Sequence, residues 1–142
     1  MENTQAQFQM LDNYVKEYSL KVDRKLTEEM DITMDGHVEF RIINISEKDD
    51  ILIGEIELSN NIDLVFENEI VGKIYIVMGG LFKYNNKEDS KKFENMLKIN
   101  GAATLSHFIR TYIHSNSVLS GMPGIITPMI NFVDFFNENN KK

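Results

Sequence analysis

Residues 99–136 read INGAATLSHFIRTYIHSNSVLSGMPGIITPMINFVDFF, and this stretch decides how the rest of the chain can fold. In its first half, apolar residues follow the i, i+3, i+4, i+7, i+8 spacing of one helical face: Leu105, Phe108, Ile109, Tyr112 and Ile113. We expect this helix to end before residues 121–128, because glycine loses backbone entropy and proline lacks an N–H group. A second helix then begins at Asn131, whose side chain can cap it.

Four strands are predicted ahead of these helices, at residues 14–23, 38–42, 51–58 or 51–66, and 70–84. Between the first two lies a long connection, 24–36, which ends at the turn dipeptide Asp35-Gly36. A change in the apolar pattern at Gly54 suggests a bulge in the third strand. Helical signals resume at Asp89 or Ser90, either of which can cap a helix. Strands first and helices afterwards predict an α+β fold and not an alternating parallel sheet.

The size of the chain predicts a single domain over residues 1–142, with frayed ends at about 1–12 and 137–142. A formal net charge of −7, from 22 acidic and 15 basic residues, disfavours nucleic acid as a partner. There are no cysteines, which excludes disulfides and thiolate metal sites. The N-terminus does not resemble a secretory signal, and the apolar stretch 70–82 is too short to enter a membrane as a spanning helix. We therefore expect a soluble cytoplasmic protein.

Catalytic and metal-binding patterns are weak in this sequence. His107, Arg110 and His114 share a helical face, but the two histidines lie seven residues apart, about 10 Å along a helix, which is too far for one ion. A solvated or interfacial helix face explains them better. Gly79-Gly80 follows an apolar strand without a phosphate-binding motif, and a strand bend or a close backbone approach is the better interpretation. We predict that the protein is not an enzyme and needs no metal or cofactor.

Irregular segments of the chain contain more apolar residues than a core of this size needs. One group lies in the first connection and the other in the loop between the two helices: Met30, Ile32 and Met34, then Met122, Ile125, Ile126 and Met129. Methionine is flexible and polarizable, which suits a surface that accepts varied partners. Two explanations stay open, because such residues can form a binding surface or can fold over the core and into subunit interfaces.

Several of these residues also resemble the C-terminal signature of the SecB export-chaperone family. That signature reads L-F-P-Y-x-R, then G-F-P, then L-x-L-P-P-V-N-F and a closing aromatic residue. Its counterparts here are Leu105, Phe108, Arg110, Gly121-Met122-Pro123, Ile125, Pro128, Ile130-Asn131-Phe132 and Phe136. Gly79-Gly80-Leu81-Phe82 is similar to the family's G-G-I-F, and residues 8–21 resemble F-x-I-x-R-I-Y-x-K-D-I-S-F-E. The resemblance covers nearly the whole chain.

The resemblance implies a four-stranded antiparallel sheet followed by two C-terminal helices, assembled as a dimer of dimers. The long helix would pair subunits through the stripe Leu105, Phe108, Ile109, Tyr112 and Ile113. Unfolded polypeptide would lie in a groove formed by Met30, Ile32, Met34, Phe40, Met122, Ile125, Ile126, Met129, Phe132 and Phe136. The implied function is a chaperone that holds unfolded preproteins for export, without nucleotide.

The chain departs from the family pattern at the acidic edge that docks the translocase SecA. One carboxylate is retained as Glu17, but Lys21, Lys73 and Tyr75 stand where the family has glutamate, leucine and glutamate. These changes predict weak or absent docking of the basic SecA tail. Two further hypotheses remain beside general export. The protein could be a dedicated chaperone that binds an antitoxin's tail, or a small-ligand-binding or structural oligomer that keeps the fold.

Overall fold

The computed structural model describes residues 7–140. Four strands, β1 Phe8–Val22, β2 Thr33–Lys48, β3 Ile51–Phe66 and β4 Glu69–Tyr84, form one antiparallel sheet in the order β1-β4-β3-β2. The helices that follow are α1 Ser90–Met96, α2 Ala102–Leu119 and α3 Phe132–Asn140. A π-helical turn, Leu97–Gly101, joins α1 to α2. The predicted α+β class, with a four-stranded antiparallel sheet followed by helices, is confirmed.

Two tight hairpin turns connect β2 to β3 and β3 to β4. The loop residues Asp49-Asp50 and Glu67-Asn68 all have positive φ, between 51° and 68°. Two-residue loops with positive φ at both positions match the right-handed twist of the flanking strands, and Asn and Asp tolerate this conformation. Both turns lie in gaps between the predicted strands, the first between residues 42 and 51 and the second between 66 and 70.

The ends of the sheet extend beyond the predicted strands. Residues 8–12 belong to β1 and are not frayed, because Phe8 pairs with Tyr84 and its ring stacks on that of Phe82 at 5.2 Å. Residues 137–140 continue α3, while 1–6 and 141–142 lie outside the described residues. The predicted turn at Asp35-Gly36 is wrong, because both residues pair with β3 inside β2.

Two bulges in β1, at Leu11 and at Lys16, shift residues 12–15 to the opposite phase from the rest of the strand. The register skips from Val15, paired with Met78, to Glu17, paired with Val77. Tyr14 therefore lies on the other face of the sheet from Tyr18, although strict alternation along a strand would place both on one face.

The predicted bulge at Gly54 is also wrong, since β3 keeps its register through the glycine and the irregularity lies in the partner strand β2, between Ile42 and Asn44. There is no room for a side chain at position 54, because the helices pack directly against this glycine. A Cβ atom there would lie 2.6 Å from Leu97 Cδ1.

One face of the sheet is covered by α1, the π turn and α2, and the other face is open. The core between them contains buried side chains from β3, β4 and the helices, among them Ile56, Leu58, Ile74, Phe82, Phe93, Leu105 and Ile109. Gly80 lets α2 approach the sheet, because a Cβ at this position would lie 2.8 Å from Leu105 Cδ2. Tyr14 lies across Gly79 on the open face. The interpretation of Gly79-Gly80 as a close backbone approach is confirmed.

Candidate functional site

The connection between β1 and β2 faces the loop between α2 and α3 across an elongated groove, which we call the crossover groove. It consists of two adjoining cavities that share Met34. The outer cavity has a volume of about 230 Å³, and the inner cavity one of about 150 Å³. Apolar side chains from both segments line the outer cavity: Leu26, Met30, Ile32, Met34, Ile125 and Ile126. The groove is thus open and mainly apolar, although Glu28 and Asp31 also line its outer cavity, and its walls combine irregular segments with the start of β2 and the end of β3.

The structure distributes the ten residues predicted to form a binding groove over several places. Five of them line the outer cavity: Met30, Ile32, Met34, Ile125 and Ile126. Phe40 and Phe136 lie elsewhere, at a broad depression beside β2. Met122 and Phe132 are packed into the core, at 9% and 3% exposure, and Met129 is 81% exposed and lines neither cavity.

The aromatic residues of α3 pack against the outer edge of the sheet. The rings of Phe40 and Phe136 meet edge to face at 5.2 Å, and Phe135 meets Phe136 in the same way at 5.0 Å. Asn131 begins this helix as predicted, since its Oδ1 accepts a hydrogen bond from the Asp134 amide at 3.2 Å. These rings border a depression of about 670 Å³ that continues over β2 toward the open face.

The loop wall of the groove is fastened to the end of α2. Gly121 ends the helix with φ +79°. Its amide donates to the Val118 carbonyl and the Met122 amide donates to the Ser117 carbonyl, which are the two hydrogen bonds of a Schellman cap. Ser117 Oγ also accepts from the Ile125 amide at 2.9 Å, and Arg110 Nε donates to the Thr127 carbonyl at 2.9 Å. The loop is therefore held in one position along the groove.

Three residues on the α2 face that contains His107 contact this loop: Arg110, His114 and Ser117. His114 lies over Gly124, where a Cβ atom would be 2.5 Å from Nε2, while His107 is exposed. Ser117, on the same face, is 1% exposed. Among residues 7–140 there is no group of three or more His, Cys, Asp or Glu side chains that could hold a metal ion.

The apolar stripe of α2 divides into a buried part and a surface part. Leu105, Ile109 and Ile113 are fully buried against the sheet and offer nothing to a partner chain. Phe108, at 37% exposure, and Tyr112 instead line a shallow depression of about 360 Å³ beside β1. Any contact of this stripe with a second chain would therefore involve these two aromatic residues.

On the open face, an ion-paired carboxylate lies at the centre of the sheet. Glu57 is only 7% exposed. Its two carboxylate oxygens accept hydrogen bonds from Lys16 Nζ at 2.7 Å and from Arg41 Nη2 at 2.6 Å. Hydrogen bonds from Lys16 and Arg41 lower the pKa of the Glu57 carboxyl below its usual 4.5, because they favour the ionised form. Beside it, Tyr14 donates to Glu55 at 2.8 Å, which raises the pKa of the tyrosine.

This pairing predicts acid-dependent stability. Because the folded-state pKa of Glu57 is depressed, its contribution is present above about pH 4.5 and is lost as pH falls through the folded value. We expect Glu57→Gln to lower the free energy of unfolding by about 1 kcal/mol at neutral pH and by much less in acid. Urea titrations across this range will measure it, with the exposed Glu29→Gln as control. An equal loss at every pH would contradict the assignment.

The four residues at the predicted docking edge lie together on the open face of β1 and β4. Lys21 is directly opposite Lys73, Ser19 lies opposite Tyr75, and Glu17 lies opposite Val77. Lys73 also approaches Asp63 of β3, with Nζ and Oδ1 at 3.5 Å. The two lysines are adjacent, and only Lys73 has a carboxylate partner within residues 7–140.

The inner cavity has three polar residues in its lining that the sequence did not single out: His37, Asn60 and Thr127. Asn60 and Thr127 are 4% and 2% exposed, and each belongs to a segment that otherwise presents apolar side chains there. Alternation along β3 could have predicted that Asn60 points inward, since it shares the face of Leu58 and Ile62. Thr127 lies in a loop, where no regular alternation indicates which side chains point inward.

No helix within residues 7–140 has the length and apolar composition needed to cross a membrane.

Comparisons with known proteins connect this architecture to one family. The model of the family described as preprotein translocase subunit SecB matches residues 1–142. The Mycobacterium tuberculosis SecB-like chaperone Rv1957, solved in complex with a ChAD peptide from the Rv1956 HigA1 antitoxin, has a similar structure, with a TM-score of 0.62 and 15% identity over 87% of this chain and 91% of that chain. A protein of unknown function from Streptococcus agalactiae has a TM-score of 0.47 and 15% identity, over 85% of this chain and 96% of that chain. No curated protein matches the chain.

Proposed function

The chain belongs to the SecB family, and we propose that it is a cytoplasmic chaperone that holds extended, unfolded polypeptide in the crossover groove. The observation that carries this proposal is the pair of adjoining, largely apolar cavities, with Met34 in the lining of both. Its lining includes Ile126, 64% exposed, in a loop fastened at several points to α2. An apolar surface that is fixed in place and open to solvent is suited to binding side chains that a folded client would bury.

Holding of this kind needs no chemical step. Each client Leu or Phe that becomes well buried contributes about 1.5–3 kcal/mol, which has to exceed the entropy lost when the client is ordered. Several shallow cavities accept more sequences than one deep pocket does, and the methionines Met30 and Met34 can adapt their shape to each. The open groove also favours a polypeptide ligand over the alternative of a small molecule enclosed in a single pocket.

Two client classes fit the proposal. One is unfolded preproteins on their way to export, which the family description suggests. The other is an antitoxin tail, favoured by the antitoxin peptide bound to the SecB-like chaperone of similar fold. Both are extended segments, so the same groove serves either role.

Assembly is part of the proposal. We infer a homotetramer of 16.5 kDa chains, arranged as a dimer of dimers. Phe108 and Tyr112 of α2, together with the edge strand β1, provide the apolar surface for subunit contact.

The proposal is tested by a holding assay with the whole protein. A reduced, unfolded test protein is diluted into buffer with and without the chain, and its aggregation is followed by light scattering. We expect suppression at a near-stoichiometric ratio without added nucleotide. Aggregation that proceeds unchanged would overturn the proposed function.

Charge on the open face decides whether SecA is a partner. The basic pair Lys21 and Lys73 opposes a basic peptide, and each exposed like-charge contact costs up to about 1 kcal/mol. We predict weak or absent binding of the basic SecA tail, and at least tenfold tighter binding by Lys21→Glu with Tyr75→Glu. Calorimetry at low salt compares the two proteins, with the Lys91→Glu variant on α1 as a charge control. Tight binding by the unchanged protein would place docking on another surface.

A further inference from the structure

The outer edge of β2 has no backbone partner within the described part of the chain. This strand ends the sheet order β1-β4-β3-β2, so only one of its two edges is paired, with β3. Within residues 7–140, no loop or helix backbone hydrogen-bonds to the other edge. In an antiparallel ladder, every second residue of an edge strand turns its N–H and C=O groups outward. β2 therefore presents a row of backbone donors and acceptors to its surroundings.

Unlike the opposite edge of the sheet, this edge is not protected against pairing with another strand. β1 contains two register shifts and the lysines Lys16 and Lys21. β2 keeps its register with β3 from Thr33 to Ile42, and this stretch contains no lysine and no proline. Bulges, lysines and prolines are the usual devices that prevent an edge strand from pairing with a further chain. Residues 33–42 thus form a regular edge that another strand can join.

Two cavities lie along this edge and not over one face of the strand. Successive residues of a strand point to opposite faces, so a cavity over one face touches mainly alternate residues. The broad depression of about 670 Å³ follows that rule on β3 and β4, where it is lined by Glu57, Ser59, Tyr75 and Val77. From β2, however, it takes the consecutive residues 37–41, and the inner cavity takes 36–38. Both cavities therefore open beside the outer edge of β2 and adjoin at residues 37–38.

The two sides of this edge differ in their chemistry. On the side of the helices it presents Phe40, whose ring meets that of Phe136 edge to face at 5.2 Å. On the open face it presents three polar side chains: His37, Glu39 and Arg41. A strand that lies beside β2 would therefore place alternate side chains against an apolar surface and the intervening ones among polar groups.

Resting on the proposed function, we propose that the bound polypeptide joins the sheet at this edge as an antiparallel fifth strand. It forms backbone hydrogen bonds with β2 along residues 36–41, the stretch that lines the inner cavity and the broad depression. An antiparallel ladder is slightly more stable per residue than a parallel one. Because backbone groups are the same in every client, this pairing gives affinity that does not depend on the client's sequence. Side-chain burial in the outer cavity then adds to it.

Methylation of a probe peptide's backbone tests the pairing without any change to the protein. The probe is fluorescein-labelled Lys-Leu-Gln-Ala-Asn-Leu-Ser-Val-Lys, in which apolar and polar residues alternate. One version is N-methylated at both leucines, and the matched version at glutamine and serine, in the opposite phase. Only one phase of an added strand turns its N–H groups toward β2. In anisotropy titrations we expect one version to bind about 10- to 30-fold more weakly and the other within about threefold of the unmodified probe.

Amide hydrogen exchange, resolved by residue with NMR, gives a second measurement on the protein itself. In the unbound chain, every second amide between residues 34 and 42 should exchange rapidly, because its N–H group faces solvent. Saturation with the unmodified probe should slow these amides at least tenfold and leave the outward amides of β1 unchanged. Slow exchange of all β2 amides without the probe would mean that a second copy of the chain already occupies the edge, and the proposal would be wrong.

The peptide titrations also separate this inference from the proposed function. Equal affinities of all three peptides, or an equal loss in both methylated versions, would overturn the added strand, because neither result depends on the direction of the N–H groups. So would failure of the unmodified probe to bind while unfolded protein is still held, since backbone pairing should accept any extended peptide. Failure of all three peptides, together with no holding of unfolded protein, would overturn the proposed function and this inference with it.

Discussion

Replacing Ile32 and Ile126 with serine is expected to weaken binding of unfolded polypeptide by about 30- to 1,000-fold without unfolding the protein. The two side chains come from opposite walls of the outer cavity, and Ile126 is 64% exposed in the unbound chain. A client covers them on binding, and removing both apolar side chains forfeits about 2–4 kcal/mol of that burial. Because neither belongs to the fully buried core, the fold itself should tolerate the change.

The measurement is a fluorescence titration with a reduced, permanently unfolded test protein, accompanied by circular dichroism. Val118→Ser with Leu119→Ser is the matched control, since these residues are 51% and 84% exposed at the end of α2 and line neither cavity. The control should bind as the unchanged protein does. Equal weakening in both variants would mean that any exposed apolar surface binds clients, and unaltered binding in the first variant would move the site away from the groove.

Met122 and Phe136 are less suitable positions for such a test. Met122 is 9% exposed and belongs to the core, so its replacement would lower stability and binding together. Phe136 packs on Phe40 at the edge of the sheet and not in the crossover groove. A sequence pattern identifies apolar residues in loops, but it does not show which of them turn inward.

The order of elements could be predicted because the signals for it are local. Positive-φ turns need residues such as Asp49-Asp50, helix starts need caps such as Asp89, whose Oδ1 accepts from the Lys92 amide, and Gly121 ends α2. Each signal lies within a few residues of the feature that it causes. Together with the apolar periodicity of the strands and helices, these signals predict the α+β class.

Register could not be predicted in the same way. The bulge at Lys16 follows from the path of β1 along β4, and Lys16 there reaches a carboxylate two strands away. The inward position of Gly54 depends on where Phe93 and Leu97 pack. Both are long-range effects, in which tertiary packing decides between faces that the local pattern leaves equivalent.

The groove itself arises from a similar long-range effect, the close approach of α2 to the sheet at Gly80. Leu105 fills the space that a side chain at this position would take, with its Cδ2 atom 2.8 Å from the place of a Cβ. Since Arg110 and Ser117 of α2 hold the loop that forms one wall, displacement of the helix would displace the wall as well.

We therefore expect Gly80→Val to lower the free energy of unfolding by about 3 kcal/mol, the upper part of the usual range for overpacking a core. Gly36→Ala is the control, because a Cβ there meets its nearest neighbour, Ile62 Cγ1, at an ordinary 3.7 Å. That variant should be neutral or more stable by up to about 1 kcal/mol, through the lower entropy of its unfolded chain. Chemical denaturation gives both values.

The double variant Gly80→Val with Leu105→Ala tests the cause. Leu105→Ala alone is expected to cost about 2–5 kcal/mol, because it leaves a cavity in the core. If the valine occupies that cavity, the double variant should lose clearly less than the two single losses together, and the coupling should reach about 1 kcal/mol or more. Polypeptide binding, measured on the fraction that remains folded, should fall in Gly80→Val and recover partly in the double variant. Strict additivity would show that the glycine is required for some reason other than the seating of α2, and the groove wall would then not depend on this contact.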